Sequence, residues 1–107
     1  MAGLDPATHV FRAMSAWVYI MTNRRNGILY VGSTVHLARR AWEHREDVAD
    51  GFTKKYGLKR LVYAEEHSTL LGARQREMKI KHWPRKWKVQ LIHRDNPFWE
   101  DIYDRLI

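Results

Sequence analysis

The sequence predicts one small domain of mixed α and β structure, and three observations support this. The chain has 107 residues, of which 45% are hydrophobic, so it is long enough for one domain with a packed core. Two short runs rich in β-branched and aromatic residues flank the turn sequence Asn26-Gly27, which is typical of a β-hairpin. Later segments carry the Ser or Thr caps and the apolar stripes of helices.

The first predicted element is a hairpin formed by residues 17–22 and 28–32. Its connection is either a tight two-residue turn at Asn26-Gly27 or a longer loop over residues 23–26. The longer loop pairs Tyr19 directly with Tyr30, whereas the tight turn offsets the two by four positions. Both registers place the two phenols on the same face of the sheet, because side chains alternate along each strand.

A helix is predicted directly after the hairpin, capped by Ser33 or Thr34 and ending near Asp50. The glycines on either side of residues 52–56 predict a loop there. The next run of aliphatic and aromatic residues predicts a third strand over residues 59–65.

Two further helices are predicted in the second half of the chain. The first is capped by Ser68 or Thr69 and is interrupted before Pro84. Proline is favoured in the first turn of a helix, so Pro84 is expected to begin the next one. That helix is expected to end at Asn96, before a short terminal turn, because a proline follows.

The chain is strongly basic, with a formal net charge of +7. A dense run of Lys and Arg over residues 74–94 contains a single acid, Glu77. This balance favours a polyanionic partner, with nucleic acid first and an anionic membrane surface second. Trp83 and Trp87 lie in the same run and could stack on bases, but their spacing of four is more often that of a buried helix face.

Several classes of protein are excluded or disfavoured. There is no cysteine, so no disulfide or thiolate metal site can form, which fits a cytoplasmic location. No apolar run is long enough to span a membrane, and residues 1–15 lack the features of a secretion signal. No histidine pair has zinc-motif spacing, and neither a glycine-rich phosphate loop nor a Gly-x-Ser-x-Gly motif occurs.

Glu77 falls on the apolar stripe of its predicted helix. A carboxylate is costly to bury unless it is paired. A salt bridge to Arg40, Arg74 or Lys81 would satisfy it, and so would a metal ion. Mg²⁺ is usually held by one or two carboxylates together with several waters, so one glutamate can suffice.

These segments together resemble the GIY-YIG nuclease domain, in particular its small free-standing members. The first motif departs from the family name, since Trp17-Val18-Tyr19 stands where Gly-Ile-Tyr would be, and the second reads Tyr30-Val31-Gly32. The similar blocks are VYI at 18–20, LYVG at 29–32, STVHLARRAWEH at 33–44, and the segments 52–66, 73–92 and 96–103.

The resemblance covers about residues 16–104. It implies an α/β (α+β) fold with a three-stranded, mainly antiparallel sheet flanked by helices. Residues 16–107 would form the nuclease-like domain, and residues 1–15 an N-terminal extension outside it. The hairpin, the first helix and the helix of Glu77 would converge on one shallow cleft.

The family's functional residues can be carried over position by position. The resemblance implies a catalytic set of Tyr19, Tyr30, Arg40, His44 and Glu77. Glu77 would hold the metal, Mg²⁺ or Mn²⁺. Gly32 would be structural, and Asn96 matches a polar residue near the site of some members. The residues expected to contact DNA are Arg39, Lys54, Lys55, Lys79, Lys81, Arg85 and Lys86.

The implied activity is metal-dependent hydrolysis of phosphodiester bonds in DNA. Tyr19 would be the general base, Tyr30 would orient water or phosphate, and Arg40 would stabilise negative charge; the tyrosines' roles could be exchanged. A phenol is a weak base at neutral pH unless nearby cations lower its pKa, and Arg40, protonated His44 and the metal are the expected cations.

Two alternatives from other classes stay open. One is a non-catalytic nucleic-acid-binding module on the same fold, and the other is an adaptor that binds protein through Trp83, Trp87 and Trp99. Because the chain carries no separate recognition domain, a recruiting protein could supply the specificity of a nuclease. The oligomeric state is not predicted.

Overall fold

A computed structural model of the protein describes residues 15–48 and 51–106. Its strands are β1 (Ala16–Thr22), β2 (Leu29–Thr34) and β3 (Arg60–His67). Its helices are α1 (Leu37–Arg45), α2 (Phe52–Tyr56), α3 (Leu70–His82) and α4 (Arg85–Asp95), followed by a short 3₁₀ helix, Ile102–Leu106. The predicted α+β fold, a three-stranded antiparallel sheet flanked by helices, is confirmed. The domain boundary near residue 16 stays a prediction, since residues 1–14 lie outside the described chain.

The sheet has the strand order β2-β1-β3, and β1 pairs antiparallel with both neighbours. Because β1 is central and alternates its side chains, it contributes to two separate cores. Val18 and Ile20 face α3 and α4, whereas Tyr19 and Met21 lie on the opposite face with α1. The sheet therefore separates two groups of packed side chains, one with α3 and α4 and the other with α1.

The hairpin register differs from both predicted registers. Tyr19 pairs with Gly32, and Met21 pairs with Tyr30, so the two tyrosines are offset by two positions. The connecting loop is longer than expected, because Asn23 holds it open: its Oδ1 accepts a hydrogen bond of 3.0 Å from the Ile28 amide. The expectation that both phenols share one face is confirmed, and they lie as diagonal neighbours.

The predicted cap of the first helix is wrong. Strand β2 continues through Ser33 and Thr34, and His36 is the N-cap residue of α1. Both predicted caps have other partners, since Ser33 donates to Glu77 and Thr34 accepts from the amide of His36. The helix also ends at Arg45 rather than near residue 50.

Residues 52–56 form helix α2 and not the predicted loop. The two flanking glycines are its ends, because Gly51 (φ 92°) and Gly57 (φ 64°) both adopt the positive φ that glycine tolerates. The third strand begins and ends slightly later than predicted. Thr69 caps α3 as expected, with its side chain accepting from the Gly72 amide.

Helix α4 follows Pro84 and ends before Asn96, close to the predicted boundaries. Trp87 is 52% exposed, so of the two alternatives the buried helix face does not apply to it, while Trp83 packs against the core. Trp99 is fully buried and its indole N–H donates to His93 Nε2 at 2.7 Å, so it offers no surface to a protein partner.

None of the described helices is long and apolar enough to cross a membrane.

Asn96 fixes the C-terminal turn against the sheet. Its Nδ2 donates to the carbonyl oxygens of Val62 (3.1 Å) and Glu100 (2.8 Å), and its Oδ1 accepts from the Glu100 amide (3.0 Å). The side chain is buried and both of its donor hydrogens are used. This placement gives Asn96 a structural role, and its match to a polar residue near the site of some family members stays a prediction.

Replacing Asn96 should therefore destabilise the domain. In Asn96→Ala the buried carbonyl of Val62 loses its hydrogen-bond donor. We therefore expect the free energy of unfolding, measured by urea denaturation, to fall by about 1–3 kcal/mol. The matched control is the neighbouring Asp95→Ala, whose side chain is 59% exposed and which should change stability by less than about 0.5 kcal/mol. Equal stability of the two variants would contradict the structural role.

Candidate active site

Three aromatic rings meet on the α1 face of the sheet. The ring centroids of Tyr19 and Tyr30 are 6.2 Å apart, and that of His44 lies 5.8 Å from Tyr19 and 5.7 Å from Tyr30. The tyrosines come from neighbouring strands, and His44 comes from the last turn of α1. The structure thus brings together three residues that are widely separated in the sequence.

Gly32 makes room for the Tyr19 ring. The two residues pair across the strands, and a Cβ placed at Gly32 would lie 2.6 Å from both Cζ and the hydroxyl oxygen of Tyr19. No real side chain tolerates such a contact. Glycine is therefore required here by the ring of its cross-strand neighbour, and its φ is not the reason.

A buried hydrogen-bonded chain runs from Tyr19 through His44 to Thr53. The Tyr19 hydroxyl lies 3.1 Å from His44 Nε2, and His44 Nδ1 lies 2.9 Å from Thr53 Oγ1. All three side chains are at least 96% buried. Thr53 belongs to α2, so this chain ties α2 to the hairpin and to α1.

Burial and charge decide the protonation states in this chain. Burial, reinforced by the neighbouring Tyr30, raises the pKa of Tyr19 well above its usual value. Burial, reinforced by the positive charge of Arg40, lowers the pKa of His44 to about 4. At neutral pH the phenol is protonated and the imidazole is neutral, so the expectation that protonated His44 helps to ionise Tyr19 is wrong.

Arg40 lies on α1 beside the phenols, and its side chain is 37% exposed. Burial lowers the pKa of Arg40, but its hydrogen bonds to Tyr19 and Glu43 together raise the pKa by more, so the net shift is upward. Its Nη1 lies 3.1 Å from Glu43 Oε1. A cleft of about 200 Å³ opens at this point, and it is lined by Thr34, His36, Arg39, Arg40 and Glu43.

Glu77 reaches β2 from the other face of the sheet. Its Oε1 accepts a hydrogen bond from the hydroxyl of Ser33, the residue next to Gly32. Its Oε2 pairs with Lys81 Nζ, and its side chain is 16% exposed. Of the three salt-bridge partners considered from the sequence, Lys81 is the one it has. Glu77 and Tyr19 thus contact neighbouring residues of the edge strand, Ser33 and Gly32, from opposite faces of the sheet.

The fit of a metal ion can be judged from the donors around Glu77. Within residues 15–48 and 51–106, no group of three or more His, Cys, Asp or Glu side chains is placed to hold a metal. A single, mostly buried carboxylate suits Mg²⁺ or Mn²⁺, which keep most of their waters. The donor set fits such an ion once the Lys81 ammonium has moved away from Oε2.

Comparison with known proteins decides the family. The family model of the GIY-YIG catalytic domain matches residues 15–90, which is more than half of the chain. The chain belongs to the GIY-YIG family. This is a nuclease family, and the matched region includes both tyrosines and Glu77.

One solved structure is similar to this GIY-YIG chain over most of its length. It is the solution structure of the UPF0213 protein BH0048 from Bacillus halodurans, with 28% sequence identity and a TM-score of 0.51. The similarity covers 82% of this chain and 93% of that one. No curated protein matches the sequence.

The basic residues of this GIY-YIG domain are not equivalent in the structure. Arg39, Lys54, Lys55, Lys79 and Lys86 are exposed. Lys81 is exposed but paired with Glu77, and Arg85 donates to the carbonyl oxygens of Asn26 and Gly27 in the hairpin loop. The proposed DNA contacts of Lys81 and Arg85 therefore compete with bonds inside the protein.

Two residues of the site were missed from the sequence. Ser33 binds Glu77, and Thr53 binds His44. Ser33 has the sequence pattern of a helix cap, and Thr53 falls in a segment predicted to be a loop. A single hydroxyl residue beside lysines gives little signal by itself, because it is typical of exposed turns.

Gly32→Ala should destabilise the domain through the Tyr19 ring. Since the new methyl group would overlap the phenol, we expect the free energy of unfolding to fall by about 1–3 kcal/mol in urea denaturation. Gly72→Ala is the control, because a Cβ there would lie 3.1 Å from the Thr69 hydroxyl and 3.9 Å from His67 Nδ1, farther than the 2.6 Å at Gly32, and a helix favours alanine. A Gly32→Ala protein as stable as the wild type would contradict the close packing.

The neutral state of His44 makes stability depend on pH. Its pKa of about 4 in the folded protein lies below its usual value of 6.5, so the unfolded chain binds the proton first. The stabilisation is complete above about pH 6.5 and is lost as the pH falls toward 4.

This dependence can be measured by NMR titration and by urea denaturation between pH 7 and pH 4. We expect the loss of stability over that range to be smaller in His44→Gln than in the control His36→Gln, which removes an exposed histidine. The His44 ring protons of the wild type should titrate near pH 4. Titration of His44 near pH 6.5 would show that the imidazole is not desolvated.

Proposed function

We propose that the protein is a divalent-metal-dependent endonuclease that hydrolyses phosphodiester bonds in DNA. The observation that carries the proposal is the arrangement around β2. The hydrogen-bonded chain of Tyr19, His44 and Thr53 lies on one face with Arg40 beside it, and the Glu77 carboxylate lies across the same strand. A phosphate over the edge of β2 would meet groups from both faces.

Arg40 is proposed to stabilise the negative charge that develops on the phosphoryl oxygens. Its guanidinium is partly exposed beside the cleft, and it keeps its positive charge at every relevant pH. Glu43 holds one end of the guanidinium and leaves other N–H groups for the substrate. Arginine suits this role because its fork of donors matches two phosphate oxygens.

Tyr19 is proposed to act as a relay and not as a pre-formed phenolate. Because burial raises its pKa, it can accept a proton from water only as its own proton leaves. The acceptor within reach is His44 Nε2, at 3.1 Å, which is neutral at pH 7. The water proton would pass to the Tyr19 oxygen and the phenol proton to His44, while the hydroxide attacks phosphorus and the bond from phosphorus to the leaving oxygen breaks. The leaving oxygen would take a proton from solvent, and His44 would return its proton through Tyr19. Tyr30 is less buried and is proposed to orient the water or the phosphate.

Glu77 is proposed to hold Mg²⁺ or Mn²⁺, with its carboxylate oriented by the Ser33 hydroxyl. The bound ion would supply positive charge at the scissile phosphate and at the leaving oxygen. Lys81 neutralises Glu77 when the ion is absent, and its exposed ammonium is free to turn toward a DNA phosphate.

Basic side chains around the site would bind the DNA backbone. The exposed Arg39, Lys54, Lys55, Lys79 and Lys86 are proposed to contact DNA phosphates, with Lys81 and Arg85 joining them when their internal bonds open. A net charge of +7 supports such contacts, whose affinity falls steeply with salt. We propose a cytoplasmic enzyme that a recruiting protein directs to its substrate. Its activity would suit DNA repair, recombination or the movement of a mobile element.

One observation favours the second candidate, a non-catalytic nucleic-acid-binding module. The ion pair between Glu77 and Lys81 already neutralises the acid within the basic face, so no metal is needed to prevent its repulsion of phosphate. In that case Glu77 would be a structural partner of Lys81 and Ser33.

Cleavage of a panel of linear, nicked, flapped and four-way DNA substrates tests the nuclease proposal. We expect metal-dependent cutting that falls by about 100-fold or more in Glu77→Gln and in Arg40→Gln, because each variant loses a group that meets charge in the transition state. The matched control is Glu66→Gln, an exposed carboxylate on β3, which should cut as the wild type does. Circular dichroism must show that each variant is folded.

The binding-module candidate makes a different forecast for Ca²⁺, which supports DNA binding at many metal sites without supporting hydrolysis. If Glu77 holds a metal, Ca²⁺ should tighten binding to DNA in the wild type but not in Glu77→Gln. If no substrate is ever cut, and Glu77→Gln binds DNA more tightly with or without Ca²⁺, the module is favoured and the nuclease proposal fails.

A further inference from the structure

A row of aromatic rings leads away from the catalytic tyrosines along α2. The Phe52 ring lies nearly parallel to that of Tyr30, at a centroid distance of 6.4 Å and an angle of 25°. The Tyr56 ring follows at 4.7 Å from Phe52. Phe52 is 46% exposed and Tyr56 is 41% exposed, so neither ring is buried in the core. We call Tyr30, Phe52 and Tyr56 the aromatic row.

The aromatic row is held at a fixed place relative to the candidate active site. Thr53, the residue after Phe52, is buried and bonds to the same His44 ring that bonds to Tyr19. The amide of Leu58 donates to the Thr53 carbonyl at 2.9 Å and closes the far end of α2. The row is thus a continuation of the site and not a separate patch.

Positive charge borders the aromatic row. Lys54 and Lys55 are both exposed on α2, and the Lys55 ammonium lies 5.3 Å from the centre of the Tyr56 ring. Helix α2 itself contains no acidic residue. Exposed rings with lysines between them can stack bases while the lysines follow the phosphates, which is the arrangement used to bind single strands.

We propose that the aromatic row stacks unpaired bases of DNA beside the scissile phosphate, so that the site selects single-stranded, flapped or frayed DNA over intact duplex. The proposal rests on the proposed function in one respect, namely that DNA is the polyanion bound at this site. In an intact duplex the base faces are covered by their neighbours, so protein rings can stack only on bases that have left the duplex. The alternative occupant, an apolar protein surface, is an outcome of the test.

Equilibrium binding without divalent metal separates this proposal from catalysis. The full chain is titrated in EDTA against a fluorescein-labelled single-stranded oligonucleotide and against the duplex of the same sequence, and anisotropy is measured. We expect Phe52→Ala to weaken binding of the single strand by about 5-fold to 100-fold, the effect of removing one stacking partner. Duplex binding should change by less than about 2-fold, since it depends on phosphate contacts.

Two further variants provide the controls. Phe98→Ala removes a phenylalanine that is 68% exposed and lies outside the row, and it should leave both affinities unchanged. Phe52→Trp keeps a ring at the position and should restore single-strand binding, which a purely structural role for Phe52 would not predict. Circular dichroism and thermal unfolding check that all three variants are folded.

The salt dependence gives a second readout. Phe52→Ala should lower the affinity without changing the slope of log K against log salt, whereas Lys54→Ala should reduce that slope by about 0.7, the value for one phosphate of a single strand. If the wild type binds single strands in a way that depends on Phe52 but cuts no DNA substrate, the proposed function fails and the proposal for the aromatic row stands. Equal single-strand affinity of Phe52→Ala and wild type, or equal weakening of the duplex, would overturn the proposal and leave the row as a surface for protein.

Discussion

The contact between Tyr19 and Gly32 is the constraint on which the site depends. A phenol can lie flat across the neighbouring strand only where that strand has no side chain, and the ring then points its hydroxyl at His44. This contact buries the phenol and fixes the orientation of the imidazole, which in turn anchors α2 through Thr53. The position of a whole helix is therefore linked to the absence of one methyl group.

The same burial gives the site its electrostatic character. Burial and the neighbouring Tyr30 raise the pKa of Tyr19, so the phenol keeps its proton. Burial and the neighbouring Arg40 lower the pKa of His44, so the imidazole stays unprotonated. The pair is therefore neutral at pH 7 while the cation next to it, Arg40, stays charged. Glu77, on the far side of β2, is balanced by Lys81. The site thus combines a neutral phenol and imidazole with two acids, Glu43 and Glu77, each of which is paired with a basic side chain.

Much of this was predictable because it depends on local patterns. The hairpin, the shared face of the tyrosines and the boundaries of α3 and α4 follow from alternation, capping and proline placement. The start of α1 was not predictable, since Ser33 looks like a cap and is instead bound by a residue 44 positions away. Helix α2 was missed because its two glycines resemble loop residues when only the sequence is read. The hairpin register depended on a loop bond from Asn23 that composition does not reveal.

The long reach of these contacts has a consequence for the order in which the protein becomes competent. The Tyr19 and His44 partners are 25 residues apart, and Ser33 and Glu77 are 44 apart. Contacts between distant parts of a chain form late, after the entropy of closing the intervening loops has been lost. A ribosome-bound chain that ends before α3 contains Tyr19, Tyr30 and Arg40 but lacks Glu77. Both faces of β2 would therefore be occupied only after α3 has been synthesised and has packed against the sheet.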